Sequence, residues 1–158
     1  MSDAIKFGTL NSIIGLILGI YIAYSAIGNG YWILAIGAPI STYVCGFYFW
    51  KLIFKKSTEN RSGKLILIGL LTGTVSHYLC WILLNIGMNI CYWTTGNCTG
   101  SLGDPPAQIW QMLIYGIVMT GGSLLFYSWI TIPSSIGIGF LVDRINKKRC
   151  LTPYKNNA

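Results

Sequence analysis

Acidic residues are nearly missing from this chain of 158 residues: it holds four Asp and Glu together, against eleven Lys and Arg and a single histidine. Charged residues amount to 9% of the sequence, where a soluble domain carries about a quarter. A water-exposed globular surface is therefore excluded. No CxxC pair occurs, which removes dithiol redox chemistry from consideration. The scarcity of acid leaves no paired carboxylates, no nucleophile stands beside a base, and no phosphate-binding glycine loop is present. Zinc held by Cys91 and Cys98 would need two further ligands, and the surrounding stretch offers only Asp104. The chain is read as non-enzymatic, with no cofactor and no metal.

What is present is hydrophobic sequence, 53% of the total. Four runs, at about 10–27, 31–54, 65–90 and 109–132, contain no acidic residue, and each meets or nearly meets the roughly 20 residues of a spanning helix. Runs such as LILIGLL do not alternate in polarity, as the strands of a membrane barrel would. The fold class is all-α: one polytopic membrane domain over residues 1–158, with four transmembrane helices and the first run kept as a permanent span rather than a signal peptide.

Orientation follows from the basic residues. Lys6 precedes the first run, Lys51, Lys55, Lys56, Arg61 and Lys64 lie around the 55–64 loop, and Arg144, Lys147, Lys148, Arg149 and Lys155 follow the fourth run. The stretches 28–30 and 91–108 contain no Lys or Arg. Because short basic loops stay on the cytoplasmic side, the expectation is N-in/C-in: a cytoplasmic loop 55–64, an outer loop 91–108 and a cytoplasmic tail 143–158. The net charge of +7 is accounted for by this topology and by contact with anionic lipid, so sequence-specific nucleic-acid binding is not expected.

The turn Gly28-Asn29-Gly30 makes the first two spans an antiparallel hairpin. Tyr31, Trp32, Tyr48 and Trp50 fall where aromatic rings favour the headgroup region. Small residues recur four apart, as Gly15, Gly19 and Ala23 in the first span and Gly69 and Gly73 in the third. Such rows let helices approach closely, either within the bundle or against a second copy or a partner. The stretch 109–142 exceeds a hydrocarbon core of about 30 Å, so a bend is expected at Pro133. Beyond it, IGIGFLVDRINKK reads as a short interfacial helix, and the end, LTPYKNNA, as disordered.

His77 is an ionisable group near the middle of a span, which makes it a functional candidate by default. It shares an i+4 row with Gly69, Gly73, Trp81, Asn85 and Asn89. The residue types fit a neutral imidazole bonded to a hydroxyl on a neighbouring helix, or part of a proton or substrate path; no intramembrane carboxylate is available to form a relay. Asn85, Asn89, Gln108 and Gln111 gather near the outer ends of spans three and four, with Tyr92, Trp93 and Trp110 beside them. That vestibule is the candidate recognition surface. Cys91 and Cys98 share the outer loop, where oxidation to a disulfide staple is expected; Asn97-Cys98-Thr99 is also a glycosylation sequon.

This arrangement resembles the small four-span inner-membrane immunity and superinfection-exclusion proteins of bacteria and their phages. WTTG at 93–96 is similar to a TTAG-like stretch of the colicin A-type immunity proteins, and TIPSSIGIGFLVDRINKKR resembles their final span, which ends through a proline into a basic tail. The resemblance implies an inner-membrane protein acting by contact with a toxin or entry machine, without turnover. Its partners would be the bilayer and another membrane or membrane-penetrating protein. The residues alone leave open a transporter or channel component, or an assembly subunit.

Overall fold

The computed structural model describes residues 2–26, 31–54, 61–99 and 103–151. Helix α1 spans Asp3–Ser25 and a short 3-10 turn covers Tyr31–Ile33; α2 runs Leu34–Phe54, α3 Arg61–Thr95 and α4 Ile109–Leu151. The described residues contain no strand. All four helices are long and apolar enough to cross a membrane. Most of the 55–64 loop, the turn at 27–30 and the end beyond residue 151 lie outside the described residues.

Successive helices run antiparallel, and glycine decides how closely they meet. On α1, Gly15 faces Ala38 and Thr42, and Gly19 faces the Leu34 carbonyl and Ala35 of α2. On α3, Gly69 sits against the backbone of Ile136 and Gly73 against that of Ile132. A β-carbon on Gly19 would come 2.5 Å from a carbonyl oxygen, and one on Gly69 would come 2.7 Å from backbone atoms. Both rows are thus filled from inside the bundle, which leaves neither open to a foreign helix.

Two apolar clusters hold the ends. At the end carrying Lys6, Lys51, Arg61 and Lys147, here the basic end, Ala4, Phe7, Trp50, Leu65, Ile68 and Val142 interlock. Phe7 and Trp50 pack with ring centroids 5.0 Å apart. At the opposite, loop end, Ile33, Leu34 and Leu84 form the second cluster. Trp50 is buried in the first, its ring packed between Phe7 and Phe54 at centroid distances of 5.0 and 4.8 Å, so it faces the bundle interior.

The helix does not end at Pro133. Helix α4 runs through it, 43 residues in all or about 64 Å at roughly 1.5 Å per residue, so the segment expected as a separate interfacial helix is a continuation of α4, and of the end read as disordered only Leu151, in helix, lies within the described residues. The reason is packing. Ser135, Val142 and Asp143 are buried, Gly139 rests on Phe7 and Leu65, and Ile136 fills the notch at Gly69. Those contacts outweigh the one backbone bond that proline forfeits. The third helix is also longer than its apolar run, reaching from Arg61 to Thr95. It absorbs residues at both ends that read as loop.

Candidate functional site

At the loop end, the last turn of α3 is stapled to the segment after it. Cys91 and Cys98 form a disulfide with their Cα atoms 5.9 Å apart. Gly96 leaves the helix at φ 72°, the left-handed conformation glycine adopts most readily, and its N–H donates to the Tyr92 carbonyl at 2.9 Å, a common helix end. Cys98 adopts φ 62° and is buried.

The segment leading into α4 is tied to α3 by two asparagines. Asn85 Nδ2 and Asn89 Nδ2 each donate to the Ala107 carbonyl at 2.9 Å, and Asn89 also donates to the Asn85 side-chain oxygen at 3.2 Å. One carbonyl oxygen with two lone pairs serves both. Gln111 then accepts from the Gln108 N–H at 3.2 Å, the backward half of a capping box that starts α4. Trp110 Nε1 donates to the Gln108 side chain. Around this framework Trp93 is 82% exposed and Trp110 61%, while Tyr92 is half-buried. Replacing Asn85 and Asn89 together by alanine is expected to free the segment at about 1–2 kcal/mol in all; backbone hydrogen exchange of residues 103–112 measures it, and unchanged protection there would refute the clamp.

The i+4 row on α3 is the seam facing α4 along its whole length. Gly69 and Gly73 receive Ile136 and Ile132, Asn85 and Asn89 take the Ala107 carbonyl, and His77 and Trp81 fall between. His77 Nδ1 lies 3.0 Å from Ser123 Oγ and Nε2 lies 3.1 Å from Thr131 Oγ1. Trp81 Nε1 donates to the same Ser123 oxygen at 3.3 Å. Both ring nitrogens therefore have hydroxyl partners on α4, and each hydroxyl has a carbonyl to fall back on: Ser123 can donate to Thr120 at 3.1 Å, Thr131 to Tyr127 at 3.2 Å. Either neutral tautomer satisfies every group in the chain of bonds.

Beside His77 lies a partly open cavity of about 130 Å³, lined by residues of all four helices. Gly15 and Gly19 also line it from α1, next to their contacts with α2. Among the described residues no three His, Cys, Asp or Glu side chains converge. The sequence pointed only to a hydroxyl on a neighbouring helix as the partner of His77, without naming Ser123 or Thr131. The role of Ala107 carried no signal, because a backbone carbonyl has none. No family model matches this chain, and neither does any curated protein or solved structure compared with it.

Proposed function

We propose that this chain is a non-enzymatic protein of a bacterial inner membrane, with both termini cytoplasmic, that gives immunity or exclusion by recognising an incoming membrane-penetrating partner at its loop end. The observation that carries the reading is that the loop end is tied at several points: a disulfide after the last turn of α3, an asparagine pair on the Ala107 carbonyl and a capped start of α4 lie beside two exposed tryptophans, Trp93 in the last turn of α3 and Trp110 in the first turn of α4. An aromatic anchor in the headgroup region does not require a fixed backbone. A recognition surface gains affinity from one, because ordering costs are met before binding, and tryptophan is among the side chains most enriched at the energetic centre of interfaces. The absence of Lys and Arg from residues 91–108 supports placing this end outside.

The test is expression of the chain alone in a sensitive strain challenged with phages, conjugating donors and pore-forming toxins. Protection against at least one challenger is expected, and protection against none would overturn the reading. Given a protected challenge, replacing both Cys91 and Cys98 with serine, or Trp93 with alanine, should reduce protection by an order of magnitude or more, on the scale of about 2 kcal/mol for a central tryptophan. Full protection by these variants at equal membrane levels would show that the loop end is not the recognition surface.

A further inference from the structure

The cavity beside His77 has chemistry of its own, separate from the loop end. Its lining carries hydroxyls from Ser41, Ser76, Ser123 and Thr131, and no Asp, Glu, Lys or Arg. An ion placed there would lose its hydration with no countercharge to replace it. Its volume of about 130 Å³ is close to that of apolar cavities of about 150 Å³ that hold a single benzene.

Access is set by how the helices part. Helices α1 and α4 are the neighbours in least contact: they meet at the basic end, where Phe7 lies on Gly139 and Lys6 Nζ donates to Asn146 at 2.8 Å. Further along, Leu18 from α1 and Tyr127 from α4, both half-buried, line the cavity. With four helices apolar enough to cross a membrane, a molecule that reaches the cavity between α1 and α4 comes from hydrocarbon and must dissolve in lipid.

The hydrogen-bond chain across the seam is made to exchange partners. Ser123 and Thr131 can each turn to a helix carbonyl already within reach, which frees a nitrogen of His77 without stranding the hydroxyl. The imidazole has no carbonyl partner of its own, so an arriving oxygen is what replaces the hydroxyl that leaves. Because both tautomers are accommodated, the freed nitrogen serves as donor to a carbonyl or as acceptor from a hydroxyl.

We propose that this cavity is a binding site for a neutral, lipid-soluble molecule with a ring-sized apolar body bearing one hydroxyl or carbonyl, whose oxygen bonds to His77. The inference stands apart from the recognition role of the loop end and survives its failure. The test uses the full chain in lipid nanodiscs, with 4-fluorophenol followed by fluorine NMR against empty discs. Saturable binding displaced by phenol is expected, with 4-fluorotoluene at least about tenfold weaker, the scale of one net hydrogen bond. Leu18→Trp, which fills the cavity from α1, should abolish saturable binding. His77→Phe should weaken 4-fluorophenol to the level of 4-fluorotoluene with unchanged helix content, since Ser123 and Thr131 retain their carbonyls. Uptake no greater than in empty discs, equal affinity for the two probes, or binding untouched by Leu18→Trp would each overturn the proposal, the second by showing a void that any apolar chain fills.

Discussion

Gly69→Ala is expected to destabilise the bundle by about 3 kcal/mol, the upper part of the range for an overpacked interior, and to do so with a single added carbon. The new Cβ would stand 2.5 Å from Ile136 Cγ1 and 2.7 Å from its Cα and N. Two of those three atoms are backbone, so no rotamer change relieves the contact and α4 must move off α3. In lipid there is no hydrophobic drive to hold the two helices at the greater distance, since dispersion and hydrogen bonds across the seam supply the association. The loss extends outward: His77 lies two turns along α3, and its bonds of 3.0 and 3.1 Å to Ser123 and Thr131 do not survive a separation of an ångström. Gly73→Ala should cost less, with its nearest contact at 2.9 Å, and Gly122→Ala should be within about 0.5 kcal/mol of the parent, because nothing lies within 4 Å of its added carbon. Unfolding in a denaturing-detergent titration, followed by tryptophan fluorescence, ranks the three. Equal midpoints would mean that the α3–α4 seam is not where the stability resides.

How much of this was legible in sequence depends on what carries the signal. The four helices follow from apolar run length, a property of side chains alone, and the Gly69–Gly73–His77–Asn85 row emerges because i+4 spacing puts those residues on one face. The row marks the seam correctly since a helix in lipid buries its small and polar residues against a neighbour. The misreading at Pro133 has a physical origin. Proline and the thickness of a bilayer both argue for a separate helix beyond Pro133 when a helix is considered singly, but the far part of α4 is held in line by packing on Phe7 and Leu65 and by Ile136 in its notch, and those contacts come from residues remote in sequence. Gly139 within the apolar IGIGFLV stretch was the available hint of close packing. The Ala107 clamp had no such hint: Pro105 and Pro106 before it cannot donate backbone bonds, but which carbonyl the asparagines take is set by the fold.

Arg61→Ala should have the larger effect of the two substitutions that open the ionic contact at the basic end, about 2–3 kcal/mol, while Lys147→Ala should cost under about 1 kcal/mol. Both residues pair with Asp143, Arg61 through Nε and Lys147 at 3.2 Å. The carboxylate is 9% exposed; the arginine and lysine side chains are 41% and 69% exposed. Removing Lys147 takes away a solvated charge one turn along the same helix, which water replaces. Removing Arg61 takes a partner from a nearly buried carboxylate beside the apolar cluster of Phe7, Leu65 and Val142, and the loss is then the desolvation of a charge with less pairing rather than the worth of the pair. Asp143 is also what converts an apolar contact into a register: Arg61 begins α3, so the pair fixes where α3 starts against α4, while Lys6 on Asn146 fixes α1 against the same helix. If stability alone were the role, replacing Arg61 with methionine and Asp143 with leucine together should restore the midpoint lost in Arg61→Ala, because an apolar pair avoids the desolvation cost. The expectation is that stability returns while the start of α3 loosens against α4, visible as faster hydrogen exchange in the first turns of α3. Restored stability with unchanged exchange would show that the ion pair sets no register.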